Sequence, residues 1–407
     1  MEYLPVAEVL KRKPLYYKEI DYGRMGRAYR LIADRLQLPP LIRLVGTNGK
    51  GTTGRFLALL LKKAGKRVGH YTSPHLFRFN ERIWIDGREV KEGELERANQ
   101  LLQQLLPRPV WEGLSYFEYT TFLMAILFRE VEIGIVESGL GGEHDATAVF
   151  PYLATIFTPI HRDHTQFLGK EIEEIIATKV RGSKGVLVTA PQPFEEQFWR
   201  VATQLGVTPL RAWEFLSPDE VVRIEALSPY PDFITQNYLT AYGFLKLARE
   251  KWGWPLPSPI PLPKLDLPGR LHQLAPGVWL DVGHNPLSAT AIAQFFEKRG
   301  EKVTLIYGAY ADKERGEILS ILKPVVNGVF PLQLEGERGV PLPRLKREIE
   351  EVGLPILPPS QLTRPLLIYG SFGVAEEILK VDRSHFPPFL IYALSKLEEL
   401  REGGGDR

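Results

Sequence analysis

Apolar, β-rich runs alternate with stretches of helical period along nearly the whole chain, and this alternation constrains the fold more than any single motif. LIRLV (41–45) predicts a short buried strand, and a helical stretch from Thr52 to Ala64 follows it directly. RVGHYT (67–72), EIGIVE (132–137) and YLATIFT (152–158) predict further strands, while 90–106, 117–130 and EIEEIIATK (171–179) have helical period. Glu171, Glu173 and Glu174 open the last of these helices, where the helix dipole favours negative charge. Strand and helix in strict succession imply an α/β fold with a mainly parallel sheet and helices on both faces.

The rhythm breaks at WPLPSPIPLPKLDLP (254–268). Proline at this density sustains neither a helix nor a central strand, so the segment reads as a stiff extended connector. The 407 residues also exceed what one core usually fills. The expected division is a domain over 1–267 and a smaller one over 268–407. In the second, VWLD (278–281), KVTLIYG (302–308), VVNGVFPL (325–332) and PLLIYG (365–370) are strand candidates with helices between. The tail REGGGDR is expected to fray.

Composition excludes several classes. A net charge of +2 gives no reason to invoke nucleic acid or an anionic membrane surface. No apolar run approaches the roughly 20 residues of a membrane span, and the first residues lack the basic-then-apolar order of a secretory signal. A cytoplasmic protein is expected. With no cysteine there are no disulfides, thiolate zinc sites or cysteine nucleophile, so any metal must be held by oxygen and imidazole.

Chemistry concentrates after the strands. VGTNGKGTT (45–53) misses the common phosphate-loop pattern twice: Leu44 stands where the first glycine belongs, and Gly51 rather than a hydroxyl follows Lys50. Its context still suits phosphate. A strand, a glycine turn with a lysine and a helix start aim backbone N–H groups and a partial positive charge at one point. The alternative is a tight strand–helix turn with a solvated lysine. Glu137 ends a strand beside a second glycine turn, SGLGGEHDAT (138–147), and is either a magnesium ligand or a capping or salt-bridged acid. HRDHTQFLG (161–169) offers a His-x-x-His pair, as metal ligand or phosphate-binding imidazole, with His161 expected to be structural.

Seven blocks together resemble one family. GTNGKGT, YTSPHLFRFNERIWIDG (71–87), FEYTTFLMAILF (117–128), ESGLGGEHDAT (137–147), DHTQFLGKEIEEIIATK (163–179), PGRLHQL (268–274) and LDVGHNP (280–286) fall in the order seen in the folylpolyglutamate synthase/dihydrofolate synthase branch of the Mur-ligase superfamily. The resemblance covers roughly residues 15–375, and TSPHL…FNERI distinguishes the folate branch from the cell-wall ligases. It implies a P-loop-type ATP-binding domain followed by a smaller Rossmann-like domain. The implied reaction is an ATP-dependent amide ligation, in which the carboxylate of a folate or of dihydropteroate is phosphorylated and the amine of L-glutamate attacks the acyl phosphate.

Residue by residue, the resemblance assigns Gly46, Thr47, Asn48, Gly49, Lys50, Gly51 and Thr52 to the nucleotide phosphates. Ser73, Glu137 and His164 would hold magnesium, with Thr52 near the first ion. Lys179 matches a family lysine that is carbamylated and serves a second magnesium ion; its alternative reading is an ordinary lysine near a helix C-terminus. Arg270 would reach the ATP phosphates, Asp281 and His284 the ribose and adenine, and Asn237 the adenine side. The resemblance also implies a monomer, with ATP in a cleft between the domains. Phe77, Phe79 and Phe117 are candidates for contact with a flat pterin ring.

The chain departs from the family pattern in places. The usual Gly-Leu-Gly-Gly-Arg-x-Asp-Ala-Thr-Asn has Glu143 in place of the arginine and Ala148 in place of the asparagine. VRGSKGV follows Lys179 instead of the usual run, and Phe233 and Ile234 stand where His-Gln is expected before Asn237. These departures leave open a Mg-ATP-binding relative without ligase turnover. A plain ATPase or kinase on the phosphate loop is a further alternative, and would leave 268–286 without a role.

Overall fold

The computed structural model describes residues 3–14, 21–163, 165–336 and 338–402. They form two compact units, one of residues up to 74 with 79–265, the other of 75–78 with the residues from 266 on. The sequence-based boundary at 267/268 therefore lies close to one structural limit, but the short segment His75–Arg78 was not expected to join the second unit. Leu76 and Phe77 pack in that unit's apolar core, which explains the assignment.

The first unit is built on an eight-stranded sheet. In chain order its strands are β1 (Leu41–Val45), β2 (Val68–Tyr71), β3 (Ile83–Ile85), β4 (Arg88–Glu89), β5 (Ile133–Glu137), β6 (Ala154–Phe157), β7 (Val186–Thr189) and β8 (Leu210–Arg211), arranged β4-β3-β2-β5-β1-β6-β7-β8. Six neighbouring strands from β2 to β8 are parallel, and β3 and β4 add an antiparallel edge. β1 and β5 are buried along their full length, as the apolar runs imply for strands covered on both faces.

β1 is central, with β5 on one side and β6 on the other. The chain leaves β1 toward β2 and later returns to build β6 and β7 on the opposite side. Crevices at the carboxyl ends of such strands are where open α/β sheets bind ligands. Close packing fixes the sheet against its helices. Gly69 of β2 and Gly134 of β5 are direct partners, and Phe128, with no exposed surface, fills the seat they leave. A Cβ on either glycine would come within 2.7 Å of that ring.

The second unit carries a five-stranded sheet of β9 (His272–Ala275), β10 (Val278–Asp281), β11 (Val303–Tyr307), β12 (Val326–Pro331) and β13 (Leu366–Tyr369), in the order β12-β11-β13-β10-β9. Its strands are parallel except β9, which pairs antiparallel with β10. Helices Pro286–Lys298, Arg315–Leu322 and Leu342–Glu351 follow β10, β11 and β12. This is the smaller Rossmann-like unit that the resemblance implied. No helix among the described residues is long and apolar enough to cross a membrane.

Candidate active site

β1 ends at Val45 and delivers the glycine turn Gly46–Gly49 to the helix Lys50–Lys63. This helix begins two residues before the Thr52 start read from the sequence. The cause is Gly49, whose φ of +81° supplies a left-handed turn immediately before Lys50. The amides of Thr47 and Asn48 are held by one acceptor, the carbonyl of Pro159, at 2.9 and 3.2 Å. The Thr47 hydroxyl also bonds the main chain of His161, donating to its carbonyl at 2.9 Å. The turn is thus shaped by the loop after β6. The amides of Lys50, Gly51 and Thr52 sit in the first helical turn, outside the helix's own hydrogen-bond ladder and suited to an anion.

Lys50 is buried, its amine donating to the carbonyls of Gly46 and Thr47, each at 3.2 Å. It also faces Glu137 Oε1 at 3.9 Å. Glu137, the last residue of β5, is 4% exposed. Its Oε2 accepts from the Thr72 hydroxyl and from the Ser73 amide, the latter at 3.2 Å. These donors and the nearby Lys50 cation offset the cost of burying the Glu137 carboxylate.

Lys179 lies on the helix Ile172–Arg181, 2% exposed. Its amine donates to the Gly46 carbonyl at 2.9 Å and to the Leu140 carbonyl at 2.8 Å. Burial, with the nearby Lys50 charge second, lowers its pKa to about 7. Asn237, on the helix Asp232–Trp252, accepts from the Thr53 hydroxyl at 3.2 Å. It also lies so close to Gly49 that a Cβ there would stand 2.4 Å from its Oδ1.

The first unit therefore brings Gly46–Thr52, Thr72, Ser73, Glu137, Lys179 and Asn237 around the carboxyl ends of β1, β2 and β5. His164 lies outside the described residues. Among the described residues no three His, Asp or Glu side chains converge as a ready-made metal cage. Arg270, Asp281 and His284 lie in the second unit. The Asp281 carboxylate accepts from the Leu271 amide at 2.8 Å and the Gly283 amide at 2.7 Å, and burial raises its pKa. His284 Nδ1 is 3.0 Å from the Val282 carbonyl, and the Arg270 guanidinium lies 5.0 Å from the Phe372 ring centre.

The flat-ring candidates all have packing neighbours. Phe77 packs in the second unit's core, Phe79 meets Tyr116 edge-on, and Phe117 stacks with Tyr71 at 6.1 Å. Sequence reasoning passed over Thr72, Arg43 and Asp145. Arg43 left a signal, as the lone charge in the apolar run LIRLV.

No protein-family model matches the chain. Curated relatives do. The dihydrofolate synthase/folylpolyglutamate synthase of Escherichia coli K12 is 31% identical over 360 aligned positions, covering 80% of this chain and 81% of the relative. The folylpolyglutamate synthase of Lacticaseibacillus casei is 27% identical, covering 93% and 98%. Among solved structures, Helicobacter pylori folylpolyglutamate synthetase is 33% identical with a TM-score of 0.72, covering 92% of this chain and 97% of that one. A bifunctional folylpolyglutamate synthase/dihydrofolate synthase with Mn, AMPPNP and L-glutamate bound is 26% identical with a TM-score of 0.77, covering 93% and 98%. On these identities and coverages, the chain belongs to the folylpolyglutamate synthase/dihydrofolate synthase family.

Proposed function

We propose that the protein is an ATP-dependent acid–amino-acid ligase that joins L-glutamate to a folate, to dihydropteroate or to both. The acceptor carboxylate is activated as an acyl phosphate, and ADP and phosphate are released. The observation that carries this reading is the convergence of Lys50 and Lys179 on one glycine turn at the end of β1, with Glu137 facing Lys50. Chemistry on a carboxylate and a triphosphate requires crowded anions to be neutralised and held in line. Lys50 supplies a cation, and the first turn of its helix supplies amides.

The donor set fits a hard divalent cation. The Glu137 carboxylate and the hydroxyls of Ser73 and Thr52 offer oxygen, and magnesium commonly takes only one or two carboxylates, filling its remaining positions with phosphate and water. When bound, the cation neutralises phosphate charge and orients the nucleotide. His164 is assigned to it by the family match alone. A carbamate on Lys179 is supported by the amine's burial and by its pKa of about 7, which leaves a large neutral, nucleophilic fraction at neutral pH. Arg270, Asp281, His284 and Asn237 are proposed as nucleotide contacts.

The test is ADP release from Mg-ATP and L-glutamate, with tetrahydrofolate and with dihydropteroate as acceptors in parallel. Glutamate-dependent ADP and a glutamylated product are expected with at least one acceptor. ADP release that ignores both acceptor and glutamate would instead favour a plain ATPase.

A further inference from the structure

Arg43 is the fully buried residue at the centre of β1, in the middle of the sheet. Its guanidinium reaches two stretches of chain, the 138–147 turn and the residue after the 172–181 helix. It donates to the Gly142 carbonyl at 3.0 Å, to the Thr147 hydroxyl at 3.2 Å and to the Gly182 carbonyl. It also lies 3.8 Å from Asp145 Oδ1, both side chains being buried. Asp145 passes this anchoring on, because its Oδ2 accepts from the amides of Leu140 and Gly141, both at 3.1 Å. The Leu140 carbonyl is in turn one of the two acceptors of the Lys179 amine.

Backbone packing tightens the same junction. A Cβ on Gly182 would lie 2.3 Å from the Gly142 carbonyl carbon, and the Glu143 amide donates to the Thr178 carbonyl at 3.0 Å. Position 143, where the family pattern has arginine, carries a glutamate that pairs outward with Arg181 at 3.1 Å. The buried cation at this turn is Arg43, from β1. Stability alone is a poor reason for it, since a well-packed apolar side chain often stabilises as much as a buried ion pair or more. A rigid fork with five donors is, however, suited to fixing several carbonyls at once.

Resting on the ligase reading above, we infer that Arg43 is a positioning residue for ligation: it clamps the Ser138–Thr147 turn to the end of the 172–181 helix and so sets where the Lys179 amine stands. The test compares the full-length protein with Arg43→Lys, Arg43→Met, Lys179→Met and the Arg43→Lys/Lys179→Met pair. Arg43→Lys keeps the charge and loses the fork, so it decides the matter if Arg43→Met does not fold.

In folded Arg43→Lys, kcat is expected to fall about tenfold or more while KM for ATP stays within about threefold. Hydrogen exchange should rise in peptides covering 138–147 and 176–183, with the Lys50–Lys63 helix unchanged. Adding Arg43→Lys to Lys179→Met should lower kcat no further, because both act through one amine. The inference is overturned if folded Arg43→Lys keeps kcat within about twofold, if the two losses multiply, or if exchange rises throughout the unit or not at all. Should the parent protein make no glutamate-dependent ADP, the ligase reading fails, and the exchange pattern alone still decides whether Arg43 holds the turn.

Discussion

The Lys179 amine donates to the carbonyl of Gly46 at 2.9 Å, joining a helix that follows β6 to the first glycine of the turn that follows β1. This amine is buried, and that burial lowers its pKa from the ordinary lysine value of 10.5 to about 7. The neutral form attacks carbon dioxide, so carbamate should grow as pH rises through about 7 at fixed carbon dioxide pressure. A 13C carbamate resonance from labelled carbon dioxide should follow that course and vanish in Lys179→Met. A signal unaffected by that substitution would place the carbamate elsewhere.

Linkage gives the same lysine a stability signature. Its folded pKa lies below its unfolded value, so the unfolded chain binds more protons between about 7 and 10.5. Over that window this residue makes stability rise with pH, and below about 7 the cost of burying the charge is fully present. Denaturant titrations of wild type and Lys179→Met at pH 6.5 and 9 should show the wild type gaining relative to the variant.

Gly49→Ala faces two obstacles, a φ of +81° and the Asn237 side chain 2.4 Å from the new Cβ. A left-handed residue with a Cβ costs roughly 1–2 kcal/mol. ATP affinity, read by calorimetry, should fall by about tenfold or more. Asn237→Ala added to Gly49→Ala removes a proposed nucleotide contact along with the clash, so affinity should stay low, but the unfolding free energy lost in Gly49→Ala should return in part because only the strain remains. Full recovery would show that backbone strain is unimportant there.

Phe128→Ala empties the seat between Gly69 and Gly134. The expected loss is about 3–5 kcal/mol of unfolding free energy, measurable as a lower urea midpoint for the first unit. Gly134→Ala should also destabilise, since its Cβ would meet Leu41 at 2.5 Å as well as the Phe128 ring.

Glu143→Arg restores the family's residue but sets it against Arg181. The Glu143 side chain is 31% exposed and that of Arg181 45%, and ion pairs of this kind are worth roughly 0–1 kcal/mol. The substitution should leave kcat no higher and shift stability by about 1 kcal/mol at most. A clear gain in kcat would show that the glutamate impairs turnover.

The central strands were legible because parallel strands buried on both faces are written as plain apolar runs. LIRLV, IGIVE and VTLIY keep that form in the structure. The antiparallel edge was harder to see. β3 and β4 are only three and two residues long, although the Asp86-Gly87 turn between them is a recognised hairpin signal. The 21-residue helix Asp232–Trp252 was harder to read because it is buried round most of its circumference and so carries no single apolar stripe. Within the site, residue types marked Lys50 and Glu137, and the family resemblance marked Lys179. Their partners were not legible, because the Gly46, Leu140 and Pro159 carbonyls belong to the main chain and meet only when separate strands are laid side by side. Asp145 was quoted within its block and given no role, since its work is on the amides of neighbouring residues.

The bonds from Thr47 and Asn48 to Pro159 join backbone to backbone. Side-chain replacement cannot delete them; only proline, which lacks the required N–H, removes these bonds. Pro159 contributes only its carbonyl here, and its own missing donor is no handicap. A saturation library over the three sites should therefore show an asymmetric tolerance, with proline excluded at 47 and 48 yet harmless at 159. The curvature of this glycine loop is thus inherited through chain geometry more than through the letters that spell it.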